Sequence, residues 1–281
     1  MASASPNPDA RKLAILAGGG SLPRRVALRA RSLGREVFLV CFKGQTDKET
    51  CKDLPHFWTR LGAVGEILER LHREEVKDIV LAGPIKRPGI ASLLPDRRAR
   101  EGLARAGKAA LGDDGILTAI IRELEEREGF GVVGIEEIMT DMAARSGLYG
   151  SVEPDAQARQ DIERGAEVAK ALGALDVGQS VVVQQGLVLG VEAIEGTDRL
   201  LARVKELRRE GVGGVLVKLA KPQQEKRADL PTIGPRTIKE AAEAGLRGIA
   251  FEEGGALIVD EEECCRLADR QGLFLLGLPR P

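Results

Sequence analysis

The sequence predicts an α/β protein of two domains, a parallel sheet covered by helices followed by a mixed α/β unit, and three observations predict it. The first is length: 281 residues exceed one ordinary small core and fit two domains of roughly 100–150 residues each. The second is the alternation of short apolar runs with helix-period segments through the first half, which favours a parallel sheet with helices on its faces. The third is a pair of β-runs flanking Gln185-Gly186 in the second half, a hairpin signal and so a source of antiparallel pairing.

The elements follow in order. KLAILA at Lys12 to Ala17 is a short apolar run, Gly18-Gly19-Gly20-Ser21-Leu22-Pro23 is a glycine loop, and RRVALRARSLG has helical period; together they read strand, loop, helix. EVFLVCF at Glu36 to Phe42 is a second β-run, Val64 to Val76 a helix, and DIVLAG at Asp78 to Gly83 a third clear strand. This order makes residues 12–135 a Rossmann-like domain. Arg97 to Leu111 and Gly115 to Glu128 are helical, with charged residues on the face expected to meet solvent. EGFGVVGI then breaks the helix with glycines and starts a short strand, which places the domain boundary near 135. In 136–281 a helix at Asp155 to Leu172 precedes the hairpin SVVVQQGLVLGVEAI. A helix at Asp198 to Glu210, the strand GGVLVKLA, a long polar loop, a helix from Pro235 to Ala244 and a final β-rich segment complete a mixed α/β half.

Hydrophobic residues are 43% and charged residues 30%, so each half can bury a core and still dissolve. Lys plus Arg is 42 and Asp plus Glu 43, a formal net charge of −1, which offers no overall field to draw a polyanion and excludes nucleic acid as the expected partner. Cys41, Cys51, Cys264 and Cys265 show no CxxC spacing and His56 and His72 are the only histidines, a poor set for a zinc site. Reduced structural thiols are expected. Met1 to Arg11 lack an apolar h-region and read as a frayed tail rather than a signal peptide, and no stretch approaches the ~18 apolar residues of a spanning helix. A cytoplasmic protein is expected, with transient contact at a membrane surface compatible with that.

The glycine loop lies where a doubly wound sheet meets phosphate, because backbone N–H groups between a strand and a helix N-terminus favour an anion. Gly19, Gly20, Ser21 and Leu22 are therefore candidate substrate contacts. A dinucleotide fingerprint would need glycine where Pro23 stands, and the second strand ends Cys41-Phe42-Lys43 without an acid to hold a ribose, so a nicotinamide-dependent oxidoreductase is the weaker reading. Gly83 and Pro84 with Lys86 and Arg87 close the third strand on the edge where ligands bind. Asp113-Asp114 suit either a divalent cation or a helix N-cap. Glu192, Glu195 and Asp198 with Thr197 sit at a strand end and helix mouth; two glutamates three apart on a strand face opposite ways unless the chain turns.

The densest polar constellation is the loop from Lys221 through Glu225, Arg227 and Asp229 to Pro235, which follows a strand carrying Lys218. Cations with a carboxylate on a proline-fixed loop suit phosphate hydrolysis, in which positive charge offsets the phosphoryl oxygens and a carboxylate orients water or holds a metal.

The blocks AGGGSLP, LAGPIKRP, GDDGILTAI, QGLVLGVEAIEGTD, LVKLAKPQQEKRADLPTIGPRTI and GLRGIAFEEGGALIVD, in this order over Lys12 to Leu276, resemble the LpxI-type UDP-2,3-diacylglucosamine pyrophosphatases of lipid A biosynthesis. The resemblance implies an Mg²⁺-dependent cytoplasmic enzyme of Gram-negative bacteria with two domains around a nucleotide-linked diacyl sugar. It implies cleavage to 2,3-diacylglucosamine 1-phosphate (lipid X) and UMP, with water attacking the sugar-side phosphorus. The family's critical aspartate maps onto Asp229; relatives carry Asp where this chain has Glu225, the second catalytic candidate. Lys221 and Arg227 are expected at phosphate, with Lys218 next. The acyl chains would need an apolar groove, for which Ile90 to Leu94 and the LFLLGL tail are candidates beside a plain packing role. A homo-oligomer is compatible with the resemblance. The rival class is a non-catalytic UDP-sugar or lipid-binding module, which predicts binding without turnover.

Overall fold

A computed structural model describes residues 11–85, 94–107, 113–222, 224–225, 227–228 and 230–280, with the backbone alone for 113–114. Two compact units divide the chain, Met1–Thr140 with Arg227–Asp229 and Asp141–Lys226 with Leu230–Pro281. No helix among the described residues is long and apolar enough to cross a membrane.

The first unit is built on five parallel strands, β1 (Leu13–Ala17), β2 (Val37–Phe42), β3 (His56–Thr59), β4 (Asp78–Ala82) and β5 (Gly131–Val132), ordered β3-β2-β1-β4-β5. The chain winds outward from β1 through β2 to β3, then returns to the other side of β1 as β4. That reversal is the topological switch of a Rossmann-type sheet. β1 and β4 bury four of five residues and β2 all six, because a parallel sheet covered on both faces needs apolar residues on both. α1 (Leu22–Ser32) places Pro23 in its first turn and buries Val26, Ala27 and Ala30. α2 (Val64–Arg73) buries Ile67, Leu68 and Leu71 on one stripe. α3 (Arg97–Ala106) buries nothing; Asp96 caps it through Ala99 N at 2.8 Å and holds Gly65 N at the start of α2 at 2.7 Å. α4 (Asp113–Arg122) runs into a π turn at Glu123–Arg127, and α5 (Ile135–Ile138) is a single turn.

β3 is a strand the sequence reading does not contain. Its four residues, HFWT, are exposed to half-buried apart from Thr59, so this edge strand shows neither an apolar run nor clean alternation.

The second unit carries a six-stranded mixed sheet made of β6 (Gly147–Tyr149), β7 (Ser180–Gln184), β8 (Leu187–Val191), β9 (Val215–Lys218), β11 (Gly248–Glu252) and β13 (Phe274–Leu278). Its order is β6-β13-β11-β9-β7-β8, with β9, β11 and β13 parallel and β6, β7 and β8 joined through antiparallel pairs. A two-stranded parallel ladder of β10 (Thr232–Ile233) and β12 (Leu257–Ile258) lies beside it in sequence. α6 (Ala156–Ala174) packs Ala158, Ile162 and Ala169 against Val181, Val183, Val215 and Val217. The alternate residues Val182, Leu216, Ile249 and Phe251 meet α7 (Thr197–Leu207), α8 (Pro235–Glu243) and α9 (Glu261–Gln271). Strand periodicity thus assigns one helix to one face and three to the other.

The hairpin forms where Gln185 and Gly186 both take positive φ, 53° and 78°, as a two-residue turn matched to strand twist requires. Buried Asp161 of α6 accepts from Gln185 N at 3.1 Å and Gly186 N at 2.7 Å. The terminal segment read as β-rich contains α9 between β12 and β13. Its signals are Glu261 to Glu263 in the first turn, Cys264 and Ala268 buried four apart, and a left-handed Gly272 at the C-cap. Short strands on either side mask them. The LFLLGL tail is β13 with three of its five residues buried, and Leu94 is exposed; Ile90 to Leu93 lie outside the described residues.

Candidate active site

Four chain ends of the second unit meet at the carboxyl edge of β9. Register pairs Ser180, first in β7, with Lys218, last in β9, and Glu192, one residue past β8, extends that ladder through its N–H to Ser180 O at 2.8 Å. Gly178 admits this approach, since a Cβ there would lie 1.9 Å from Glu192 O. The chain then turns within five residues into α7.

Three predicted side chains converge here. Lys218 Nζ donates to Thr197 Oγ1 at 2.7 Å, and Thr197 Oγ1 donates to Glu192 Oε1 at 3.2 Å, with Ser180 Oγ 3.5 Å from the same hydroxyl. Lys218 is 5% exposed and Glu192 7%, so a cation and an anion sit out of water, linked by one hydroxyl. Glu192 Oε2 has no hydrogen-bond partner among the described residues, which is costly for a buried carboxylate. Thr197 and Asp198 do not cap α7: the N-cap is Gly196 at φ 79°, with no side-chain cap bond. The helix therefore presents an uncapped, partly positive end beside the Lys218 ammonium. An anion-favouring pole and an unsatisfied carboxylate oxygen share one constellation.

Glu195 is turned away from it, accepting from Ala193 N at 3.1 Å and from Arg203 Nη2 at 2.7 Å. Lys221, 3% exposed, is held by Asp176 Oδ1 at 2.8 Å, and its N–H donates to Gln224 Oε1 at 3.0 Å. Gln224 Nε2 in turn reaches Gln179 Oε1 at 3.3 Å. The root of the polar loop is thereby fixed against the residues that lead into β7. Glu225 is half-buried. Arg227 belongs to the first unit, donating to Glu125 Oε1 at 2.6 Å and to Val132 O at 3.3 Å. Asp229 and Lys86 lie outside the described residues.

In the first unit the loops after β1 and β4 press together at the switch point. Gly18 N donates to Ala82 O at 2.8 Å, Gly19 N to Pro84 O at 2.9 Å and Gly20 N to Asp47 Oδ2 at 2.9 Å. All three glycine amides are thus engaged within the unit. Ser21 stands at the N-cap of α1 without a side-chain cap bond and Leu22 opens the helix. Gly83, at φ 85°, lies so close that a Cβ would meet Gly19 O at 2.5 Å.

Sequence reasoning did not single out Ser180, Gln179, Gln224 or Asp176. Ser180 becomes visible only when register sets it opposite Lys218. Asp176 carries one signal, a positive φ of 55° in a non-glycine residue, that no sequence pattern discloses. Among the described residues no group of three His, Cys, Asp or Glu could hold a metal ion.

Against known proteins, residues 12–142 match the model of the LpxI N-terminal domain and residues 145–276 that of the LpxI C-terminal domain. The chain belongs to the LpxI family. One LpxI relative, a UDP-2,3-diacylglucosamine pyrophosphatase from Caulobacter vibrioides, is 41% identical over 275 residues, covering 95% of this chain and 98% of its own. Two solved structures overlap this LpxI chain more distantly. CobK precorrin-6A reductase has 15% identity and a TM-score of 0.34, covering 96% of this chain and 88% of its own. Glycinamide-RNase-transformylase T from Mycobacterium tuberculosis has 16% and 0.24, covering 66% and 44%.

Proposed function

We propose that this LpxI chain hydrolyses the pyrophosphate bond of UDP-2,3-diacylglucosamine, releasing 2,3-diacylglucosamine 1-phosphate and UMP, with water attacking the sugar-side phosphorus. The observation that carries the chemistry is the buried Lys218–Thr197–Glu192 chain beside the uncapped end of α7. Family membership and the end-to-end match to a pyrophosphatase support the substrate class.

In this reading the Lys218 ammonium and the α7 amides offset charge on the phosphoryl oxygens, preorganised at the fold's expense rather than the reaction's. Thr197 positions Lys218, and the Lys221–Asp176 pair fixes the start of the loop that carries Glu225 and Asp229. Asp229 is the carboxylate proposed to be essential. Mg²⁺ fits the donor set in one respect: Glu192 Oε2 is a hard oxygen without a hydrogen-bond partner among the described residues, and Mg²⁺ is commonly bound by one or two carboxylates together with substrate phosphates. Glu192 would contribute a ligand to it, and when bound it would neutralise charge on the diphosphate. The cytoplasm is the proposed compartment, with brief contact at the inner-membrane surface where a diacyl substrate resides.

The test is incubation with UDP-2,3-diacylglucosamine and Mg²⁺ in detergent and H₂¹⁸O, following products by mass spectrometry. Label in the lipid phosphate is expected. Label in UMP would reverse the site of attack, and binding without product would favour a carrier module. Asp229→Ala is expected to lower turnover by about 10²-fold, near 2.7 kcal/mol, with substrate still bound.

A further inference from the structure

The turn that closes α6 carries a carboxylate where a helix end usually has glycine. Asp176 N donates to Gly173 O at 3.0 Å and Val177 N to Leu172 O at 3.1 Å, the paired bonds of a Schellman motif, whose left-handed position is most often glycine. Asp176 fills that position at φ 55°. Three local effects act against an aspartate here: the left-handed backbone, a half-buried charge, and the partly negative pole of a 19-residue helix. A residue held against its local preferences implies a partner elsewhere in the fold.

That partner is Lys221. Its ammonium, 3% exposed, lies 2.8 Å from Asp176 Oδ1, and a buried ammonium needs a counter-charge. Lys221 stands three residues past Lys218, where the chain leaves β9 for the polar loop. The main chain there packs on the end of α6: a Cβ on Gly173 would meet Pro222 Cδ at 3.2 Å and Lys221 Cα at 3.4 Å. Gln224 closes the first turn of the loop, its N–H donating to Lys221 O at 3.1 Å and its Oε1 accepting from Lys221 N at 3.0 Å. Its Nε2 donates to Gln179 Oε1 at 3.3 Å. The segment Asp176 to Gln179 therefore grips the loop through an ion pair and an amide contact, and the gripped Gln224 immediately precedes Glu225.

We infer that Asp176 is a positioning residue of the hydrolysis: through Lys221 it fixes the root of the loop that carries Glu225 and Asp229, without touching the substrate itself. The inference rests on the hydrolase reading above and on Asp229 as its essential carboxylate.

Two substitutions separate charge from backbone. Asp176→Asn keeps a side chain that tolerates left-handed φ, and Asp176→Gly removes the strain and the carboxylate together. Were the residue only a helix end, glycine would be neutral or better. Each is expected instead to lower kcat about 10- to 100-fold, as small misplacements of reacting groups do, with KM within about threefold of wild type. Adding Lys221→Met to Asp176→Asn should lower kcat no further, because the two side chains act as one unit. Hydrogen exchange supplies a readout independent of turnover. The Lys221 and Gln224 amides should exchange about tenfold faster or more in both single variants, while those of β7 and β9 keep wild-type protection. Wild-type kcat in Asp176→Gly, a further loss on adding Lys221→Met, or unchanged exchange at Lys221 and Gln224 would each overturn the positioning role. If a single variant fails to fold, the double variant, which removes both charges, carries the same comparison with wild type. If the wild-type protein turns nothing over, the hydrolase reading falls, and the exchange rates still decide whether Asp176 anchors the loop.

Discussion

Thr197 stands between a buried ammonium and a buried carboxylate, so its hydroxyl governs both. Thr197→Val keeps the shape and removes the link. A hydrogen bond to a charged group contributes about 1.5–3 kcal/mol, so kcat is expected to fall about 10- to 100-fold, with Thr197→Ser restoring most of it. Steady-state kinetics on the two variants decide this, since a general packing defect would not be rescued by serine. Asp161 is a structural counterpart. It is fully buried and receives both amides of the Gln185-Gly186 turn as well as Gln157 Nε2 at 3.3 Å. Asp161→Ala strands those amides and should lower stability by about 2–4 kcal/mol, read from the urea midpoint.

The loops after β1 and β4 behave as one element, because each blocks the space the other's side chains would need. Gly83 combines positive φ with a Cβ position 2.5 Å from Gly19 O, whereas Gly20 has a similar φ of 77° and open space around it. Gly20→Ala should therefore cost only the left-handed backbone penalty, about 1–2 kcal/mol. Gly83→Ala should cost clearly more, because the backbone of the partner loop must move. Thermal unfolding of the two variants compares them, and equal losses would refute the crowding argument. β3 and α9 show where pattern reading fails at this scale. An edge strand of four residues has too little burial to declare a period, and a helix enclosed by two short strands is absorbed into their apolar run.

Each unit encloses a thiol that burial pushes up to about 12: Cys41 in the first, raised by burial and then by neighbouring Cys51, and Cys264 in the second, raised by burial and then by Cys265. The thiolate is the reactive form, so neither should be alkylated by iodoacetamide at pH 8 until denaturant unfolds the protein; peptide mass mapping tests this. The linkage has a definite sign. With a value of 9.0 in the unfolded chain and about 12 in the folded one, the folded state binds more protons in between. Stability is thus undiminished below pH 9 and lost as pH rises toward 12. Urea midpoints taken between pH 8 and 11 should fall accordingly.

Short-range periodicity and composition were legible along the chain without any fold. The strand–glycine loop–helix start, the strands at β2 and β4, the hairpin at Gln185-Gly186 and the helices at α6, α7 and α8 are local patterns that burial enforces over a few residues. The ordered blocks from AGGGSLP to GGALIVD also placed the chain in its family before any fold was in view. Which of the named side chains meet depends instead on how the elements pair in space. Glu192 and Glu195 look equivalent on paper, yet the turn into α7 sends one to Thr197, the hydroxyl that Lys218 also meets, and the other to Arg203. Lys221 and Arg227 share a loop, yet one is tied to Asp176 and the other to Glu125. Ser180 and Trp58 drew no notice until strand register set them opposite Lys218 and Cys41. The physical reason is that sequence fixes the direction of a side chain only relative to its own strand or helix, whereas partners come from pairings between residues distant along the chain.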